Sequence, residues 1–420
     1  MAMKFLYRIA VAATFLSAVF TGVSCSKDTP ASNDNRRVMI LYSAGFNNLS
    51  TSLNRNIMSL KNGYVPTKGT GKPVLLVVSK SVNNGKYENP APPCMIQVYK
   101  KGKDVILDTV KTYSPTMVLA NPESLRTILL DIKEMYPAKG YGMVFSSHAT
   151  GWLPKRYYDH PENYGDYYDN DNIDLWGAPA ARPNSIGAEY GYDEEGNFSN
   201  KIINEIDSED FAAAIPYRLD YIAMDACLGG CVEVAYSLRT VTDYYLSSPA
   251  EILTTGFDYE KISQRLIKES SPMMVCDDYL TYYQTVASTK SATISMVDTR
   301  KLGQLADVCR RLNESYSDAI AELDQNAVQG FSNDRKPWYF DLEDIYRQAG
   351  VSQTDFAALK DALSECILYE GHTSRYYSGG SMHDIRTCCG LTMFLPQSGG
   401  NYLKSFYKTL AWNQATGLIQ

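Results

Sequence analysis

The chain of 420 residues lacks several features that would assign it to a common class of protein. It has no excess of basic residues, because 40 Lys and Arg stand against 47 Asp and Glu, for a net charge of -7. We therefore expect no nucleic-acid partner, since phosphate binding needs a basic face. The sequence also has no C-x-x-C pair, no internal repeat and no apolar run as long as a membrane span.

The nine cysteines do not form a framework that would hold a small domain together. Their spacings fit neither a disulfide-rich module nor a zinc site, and the chain is long enough to fold without such staples. We expect mostly free, buried thiols, with Cys227 as the exception. The eight cysteines after Cys25 are Cys94, Cys227, Cys231, Cys276, Cys309, Cys366, Cys388 and Cys389.

The N-terminus has the pattern of an export signal. Lys4 and Arg8 precede an apolar core and small residues that lead to Cys25. Residues 1–24 are predicted to be a signal peptide. The stretch resembles a bacterial lipoprotein signal, which implies lipid attachment at Cys25, a polar tether over residues 25–37 and anchoring to the outer membrane or cell surface.

Apolar strand-like runs alternate with helical patterns from residue 38 to about 260. This alternation predicts an α/β sandwich with a mainly parallel sheet, in which sites form beyond the carboxyl ends of the strands. We expect residues 38–260 to form the core. Residues 261–420 are predicted to add a mainly helical subdomain with late strands.

The core pattern is interrupted at residues 155–200, which are rich in Tyr, Asp, Asn, Gly and Pro and are predicted to form a long loop. Its acidic stretch contains Asp169, Asp171 and Asp174 but lacks the glycine and distal glutamate of an EF-hand loop. Surface solvation is therefore favoured over calcium binding, and no metal site is predicted.

Two reactive side chains stand at predicted strand ends. "YGMVFSSH" ends at His148, and "LDYIAMDAC" ends at Cys227, shortly before a predicted helix. A thiolate is favoured near a helix N-terminus, and a neighbouring histidine can transfer its proton. Either residue alone is more often structural, but the pair at adjacent strand ends predicts a nucleophile and its acid–base partner.

The segments "SSHATGWLP" and "DYIAMDACLGGCVEVAYSL" resemble the histidine and cysteine blocks of the clostripain family of cysteine peptidases. The family pattern is a strand ending in His-Gly-x-Gly-Trp and a second strand ending in Asp-Ala-Cys-Leu before a helix with Glu. The resemblance implies a caspase-like three-layer sandwich and cleavage of proteins or peptides through a thioester. It implies no cofactor, although some relatives need calcium.

The resemblance also assigns roles to individual residues. Cys227 would be the nucleophile and His148 the acid–base group, with the N–H groups of Ala149 and Cys227 as the oxyanion hole. Asp225 would select a basic P1 residue, and Glu251 would add a second acid nearby. Relatives are often activated by a cut at a basic residue between the two blocks, for which we favour Lys201 over Lys155, Arg156 and Arg182.

One position departs from the family pattern and leaves an alternative open. Ala149 replaces the family's glycine; it keeps the N–H group but adds a Cβ that would crowd a substrate carbonyl. The alternative is a catalytically impaired pseudo-peptidase that acts as a surface lipoprotein and binds peptides or glycans. The 32 tyrosines agree with a binding surface, or reflect only a compositional bias.

Overall fold

The computed structural model describes residues 36–80, 82, 90–157, 185–331 and 338–420. The predicted signal peptide, the lipidation site at Cys25 and most of the tether lie outside these ranges. The strands are β1 (Arg37–Ser43), β2 (Val74–Ser79), β3 (Cys94–Lys101), β4 (Asp104–Thr112), β5 (Gly140–Ser146), β6 (Ile186–Tyr192), β7 (Phe198–Ile206), β8 (Leu219–Asp225), β9 (Thr242–Ser247), β10 (Thr293–Asp298), β11 (Phe340–Asp341), β12 (Ile367–His372), β13 (Arg375–Ser378), β14 (Ser381–Asp384) and β15 (Thr392–Met393).

The helices surround these strands, and a π-helical turn at Tyr282–Val286 continues the sixth of them. They are α1 (Ser50–Leu60), α2 (Pro122–Met135), α3 (Ser208–Ala214), α4 (Val232–Leu238), α5 (Tyr259–Lys268), α6 (Met274–Thr281), α7 (Leu302–Ser315), α8 (Ser317–Ala321), α9 (Leu342–Gln348), α10 (Gln353–Cys366), α11 (Asn401–Tyr407) and α12 (Ala411–Thr416).

A nine-stranded sheet organises the described residues, in the order β12-β10-β9-β8-β5-β1-β2-β3-β4. The five central strands, β9, β8, β5, β1 and β2, pair in parallel, and the outer strands are antiparallel. The central strands are buried on both faces, which explains their continuous apolar sequences. The predicted α/β class with a large parallel centre is confirmed.

Alternate side chains of β1 enter two separate apolar clusters, one on each face of the sheet. Val38 and Ile40 pack with α2, α3, α4 and α7 on one face. Met39 and Leu41 pack with α1, α5 and α6 on the other face. Because side chains alternate across a strand, one apolar segment holds both helical layers in place. The result is the predicted three-layer sandwich.

Local sequence signals define several of the helix ends. In α2, the side chain of Asn121 accepts a hydrogen bond from the N–H of Ser124 at 3.1 Å, and Pro122 occupies the first helical position. A capping side chain gives a hydrogen-bond partner to an N–H group that has none within the helix. Proline fits the first turn because it has no N–H group and so needs no partner there. Both features can be read from the sequence, because Asn121 and Pro122 stand directly before the apolar face of this helix.

The structure differs from the sequence-based expectation between residues 185 and 206. This part of the predicted loop forms β6 and the start of β7, which pair as a two-stranded antiparallel sheet. The register shifts twice along the pair, so the strands lack the regular alternation that sequence analysis needs. The acidic stretch Asp169–Asp174 and Arg182 lie outside the described residues.

Residues after 260 extend the central sheet. β10 and β12 add to it as antiparallel strands next to β9, and helices α7 and α10 cover the apolar cluster that contains α2. Residues 34–420 accordingly form a single compact unit. In the described ranges, the structure contains no helix with the length and hydrophobicity of a membrane span.

We expect Gly142→Ala in β5 to destabilise the fold by about 1–3 kcal/mol, because a Cβ there would collide with the ring of buried Tyr221 in β8. Denaturant midpoints of the two proteins would measure the difference. Gly303→Ala in α7 is a matched control, since its Cβ meets nothing within 4 Å and alanine favours a helix by about 0.5–1 kcal/mol. A Gly142→Ala midpoint equal to or above that of the wild type would contradict the packing described.

Candidate active site

The pairing of two central strands brings His148 and Cys227 to the same edge of the sheet. β5 and β8 are parallel, with Ser146 directly opposite Asp225. His148 and Cys227 each follow two residues after that pair. The carboxyl ends of parallel strands meet at one edge, so this register places the imidazole and the thiol on one cavity.

The cavity is small and lies between the strand ends and α1. Its volume of about 40 Å³ leaves room for roughly three water molecules. His148, Asp225 and Cys227 line it together. The other lining residues are Leu49, Ser52, Leu53, Asn56, Ser147, Ala226, Ile252, Leu253, Thr254 and Gly256. Three of the predicted site residues therefore share one cavity.

The Cys227 thiol is held by the backbone of Ile252. The N–H of Ile252 donates to Sγ at 3.3 Å, and Sγ donates to the carbonyl of Ile252 at 3.7 Å. Burial raises the pKa of Cys227 to about 12, and the Glu251 carboxylate also contributes. The thiol is therefore neutral at physiological pH. The expected thiolate stabilisation is wrong for this state, because burial outweighs the effect of α4, which begins only at Val232.

His148 contacts a residue that sequence analysis missed. Its Nε2 lies 2.6 Å from Oδ1 of Asn48, in the loop between β1 and α1. An amide oxygen only accepts, so this contact is a hydrogen bond in the tautomer that carries the proton at Nε2. The ring is buried, and burial lowers the pKa of His148 to about 4. The Asn47-Asn48 pair directly after β1, at the same sheet edge, was the sequence signal available.

Asp225 forms one wall of the cavity and is 6% exposed. Its Oδ2 accepts hydrogen bonds from Ser146 Oγ at 3.1 Å and from Tyr259 Oη at 2.6 Å. Burial raises the pKa of Asp225, and these two donors together with the N–H of Phe257 oppose that shift. A buried carboxylate beside the nucleophile suits a cationic side chain of a substrate.

Ala149 packs into the fold next to the second strand pair. It forms an antiparallel bridge with Ile186, flanked by hydrogen bonds from Thr150 N–H to Ser185 and from Gly187 N–H to His148. Ala149 and Ile186 thus form a non-hydrogen-bonded pair, in which the N–H of Ala149 points away from the partner strand. Its side chain belongs to the apolar cluster. Ala149 is also absent from the described residues with positive φ, so glycine is not required there.

A strained turn follows the nucleophile. Leu228 has φ of 56°, a left-handed conformation that is costly for a residue with a side chain. Its N–H donates to the carbonyl of Ala250 at 3.0 Å. Its own carbonyl oxygen lies so close to Gly151 that a Cβ added to that glycine would be only 2.5 Å from it. The histidine and cysteine blocks therefore pack directly on each other. The N–H of Cys227 points toward its own sulfur in this turn.

Glu251 lies next to the site but not on the described cavity wall. Its carboxylate accepts a hydrogen bond from Ser378 Oγ at 2.7 Å. Its charge contributes to the raised pKa of Cys227, so it acts on the thiol.

The predicted processing residues differ in their surroundings. Lys201 is exposed and lies at a bulge in β7. The adjacent residues Tyr190 and Gly191 of β6 pair with Ile203 and Ser199, so the three residues between these partners, including Lys201, have no partner in β6. Lys155, in contrast, forms ion pairs with Asp207 and Asp210 at 3.5 and 3.4 Å. The N–H of Arg156 donates to Glu205 at 2.9 Å.

Cysteine and metal chemistry elsewhere in the described residues is limited. All eight described cysteines are free, as expected, and four of them are buried. Cys227, the expected exception, is half-buried, as are Cys94, Cys388 and Cys389, so four of the seven cysteines expected to be buried are buried. No group of three or more potential metal-ligating side chains occurs within the described ranges.

We expect alkylation of Cys227 by iodoacetamide to be slow at pH 7 and to rise about tenfold per pH unit up to pH 10, because only the thiolate reacts and the pKa is about 12. Mass spectrometry of the modified peptide would give the rate. The urea-unfolded chain is the control, since its thiols should reach full reactivity near pH 9. Rapid alkylation of folded Cys227 at pH 6 would show a thiolate and contradict this account.

Comparison with known proteins agrees with this geometry. The sequence profile of the clostripain family matches residues 188–417, more than half of the chain, including Asp225, Cys227 and Glu251. An inactive zymogen C11 protease from Parabacteroides distasonis is 26% identical, with a TM-score of 0.72 over 91% of this chain and 98% of that chain. No curated protein sequence matches.

A second solved structure extends the likeness in fold. A secreted C11 cysteine protease from Bacteroides thetaiotaomicron is 22% identical, with a TM-score of 0.71 over 91% of this chain and 99% of that chain. A complex of a secreted C11 protease from the same organism with an irreversible peptide inhibitor gives 21% identity and the same TM-score. The caspase-like sandwich is confirmed, and the chain belongs to the clostripain family of cysteine peptidases.

Proposed function

We propose that the chain is a cysteine endopeptidase that cleaves proteins or peptides after Arg or Lys through Cys227 and His148. The proposal is carried by one observation: the β5–β8 register brings the thiol, the imidazole and the Asp225 carboxylate to a single cavity. A nucleophile, a proton carrier and a buried anion are the three groups that such a cleavage needs.

The reaction follows from the positions of these groups. His148 Nδ1 takes the proton of the Cys227 thiol as sulfur attacks the scissile carbonyl carbon. The C–N bond then breaks, and the imidazolium gives its proton to the leaving amine, which leaves a thioester. Water, deprotonated by His148, attacks the thioester and restores the thiol. In this proposal the Asn48 contact orients the ring through Nε2, and Nδ1 is the nitrogen that transfers the proton.

The N–H groups of Ala149 and Cys227 are proposed to stabilise the oxyanion. The bridge between Ala149 and Ile186 turns the N–H of Ala149 away from its neighbouring strand, and the turn at Leu228 presents the N–H of Cys227 beside the sulfur. Removing one such donor typically costs roughly 100- to 1000-fold in rate. The buried side chain of Ala149 supports retention of this function.

A basic P1 residue is proposed to bind to Asp225. A guanidinium or ammonium group would neutralise a carboxylate whose pKa burial has raised, and charge-assisted hydrogen bonds are the strongest available. Glu251 would add negative potential from its position beside Ser378. The segment Ile252–Thr254, which holds the thiol and narrows the cavity, must move for a substrate to enter.

Processing at Lys201 is proposed to permit that movement. Lys201 is exposed at a bulge, whereas Lys155 is occupied by two ion pairs. A peptidase needs an accessible, locally extended substrate, which a bulged edge strand supplies. The relative from Parabacteroides distasonis is described as an inactive zymogen.

Export and anchoring by lipid at Cys25 are proposed on the N-terminal sequence. The secreted relative from Bacteroides thetaiotaomicron supports export. The working location would be the bacterial outer membrane or cell surface, with calcium as a candidate activator and no nucleic-acid partner. An anchored peptidase of this kind would meet protein substrates outside the cell.

We expect the chain lacking residues 1–36 to cleave fluorogenic peptides with Arg or Lys at P1 and to leave those with Asp or Leu intact. Cys227→Ala should abolish cleavage. Asp225→Asn should reduce kcat/KM for Arg about 30- to 100-fold, because it removes the charge that pairs with P1. Assays with and without calcium would test that dependence. Cleavage after Leu or Asp that equals cleavage after Arg would contradict the proposed specificity.

We expect the wild-type chain to accumulate a fragment that begins at Ile202 and Lys201→Ala to prevent it. N-terminal analysis by mass spectrometry would identify the cut. Lys155→Ala is the matched control, and its fragment pattern should equal that of the wild type because Lys155 is held in ion pairs. A fragment that begins at residue 156 or 157 in all three proteins would exclude Lys201 as the processing site.

A further inference from the structure

The Asp225 carboxylate is held by two side chains and one backbone N–H group. Ser146 at the end of β5 and Tyr259 at the start of α5 both donate to Oδ2, at 3.1 and 2.6 Å. The N–H of Phe257 also donates to the carboxylate. Because the two hydroxyls converge on one oxygen, the other oxygen remains directed toward Gly256.

The backbone of Gly256 packs directly against the carboxylate, with no room between them for a Cβ. It has φ of +60°, and a Cβ at this position would lie 2.6 Å from Oδ1 and 2.8 Å from Oδ2 of Asp225. Any side chain would therefore cover the carboxylate. Gly256 and Asp225 both line the cavity, and only glycine allows the chain to pass this close to the anion at that wall.

Tyr259 is one of three tyrosines below the cavity, and their hydroxyl groups have different partners. Tyr259 donates to Asp225, whereas Tyr283 donates to the carbonyl of Gly256 at 3.0 Å. The hydroxyl of Tyr279 has no hydrogen-bond partner among the described residues. All three rings are buried in the same apolar cluster. Only the Tyr259 hydroxyl, of these three, acts directly on the carboxylate.

We propose that Tyr259 is a positioning residue for substrate specificity, which keeps Asp225 ionised and turned toward the cavity for a cationic P1 side chain. The inference rests on the proposed preference for Arg or Lys. A carboxylate that loses a hydroxyl donor in a buried site is more easily protonated. A protonated Asp225 no longer attracts a cation, so loss of the Tyr259 hydroxyl should weaken selectivity most at low pH.

The titratable groups that face Asp225 are Tyr259, Tyr279, Tyr283, Cys227 and, across the cavity, His148. Burial raises the pKa of all three tyrosines, so they remain neutral donors. The thiol and the imidazole affect every substrate equally. The ratio of kcat/KM for an Arg peptide to kcat/KM for the matching norleucine peptide therefore isolates the charge of Asp225.

The experiment measures that ratio from pH 5 to 9 for the full chain and for Tyr259→Phe, Tyr279→Phe and Asp225→Asn. We expect Tyr259→Phe to lower the ratio about tenfold near pH 6, with partial recovery at pH 9, because a charge-assisted hydrogen bond is lost. Its kcat/KM for the norleucine peptide should change less than about twofold. Tyr279→Phe should match the wild type, and Asp225→Asn should give a low ratio at every pH.

Each other outcome overturns a different statement. If Tyr259→Phe keeps the wild-type ratio while Asp225→Asn loses it, the proposed function stands and the role of Tyr259 is wrong. An equal effect of Tyr279→Phe would also overturn it, since packing alone would then explain the loss. If the wild type does not prefer Arg and Asp225→Asn changes nothing, the proposed specificity fails first, and the role of Tyr259 fails with it.

A binding measurement gives the same comparison without turnover. Calorimetry with benzamidine, a small mimic of the arginine head group, would use the Cys227→Ala chain, cleaved after Lys201 by a trace of the wild-type enzyme, with and without Tyr259→Phe. We expect about tenfold weaker binding for the double variant at pH 6 and a smaller difference at pH 9. Equal affinities at pH 6, or no binding to the Cys227→Ala chain, would overturn the proposal.

Discussion

The parallel pairing of β5 with β8 is the constraint on which the site depends. Parallel strands carry their side chains forward in a common register, so Ser146 opposite Asp225 dictates where His148 and Cys227 emerge. A slip of one residue would turn every side chain of one strand to the other face of the sheet. The alternation of β1 between two apolar clusters opposes such a slip, because both faces of the sheet are already filled.

The same architecture keeps the chemistry latent. The strand ends bury the imidazole and also the sulfur of Cys227, although that residue as a whole is half-buried. Burial disfavours the charged form of each group, which lowers the pKa of His148 to about 4 and raises that of Cys227 to about 12. A neutral thiol against a neutral imidazole is a weak nucleophile. If the segment at Ile252 were displaced and this edge exposed to water, the pKa values of His148 and Cys227 would both move toward 7. The movement that admits a substrate would then also activate the thiol.

Features encoded within one segment could be predicted from the sequence. The alternation of strands and helices, the cap at Asn121 and the location of His148 and Cys227 at strand ends depend on neighbours in the chain. The β6–β7 pair could not be predicted, because its register shifts remove the period of two and its composition resembles that of a loop.

The surroundings of the reactive groups were also beyond sequence reasoning. Asn48 reaches His148 across 100 residues, and Tyr259 reaches Asp225 across 34. The pKa of Cys227 depends on Ile252 and Glu251, which arrive from a loop after the next strand. Such contacts are products of the fold, and the charge state of a buried group depends on them more than on its own segment.

The abundance of tyrosine has a structural explanation in the core. Buried tyrosines donate to backbone carbonyls far along the chain, as Tyr42 does to Leu119, Tyr221 to Leu266 and Tyr245 to Gly229. Burial raises the pKa of each hydroxyl, whereas an unfolded chain ionises near pH 10. As the pH rises above 10, the tyrosines of the unfolded chain lose their protons, whereas the buried tyrosines of the folded chain keep theirs. Each buried tyrosine therefore lowers the free energy of unfolding as the pH increases. The packing that makes this core specific thus also makes it sensitive to alkali.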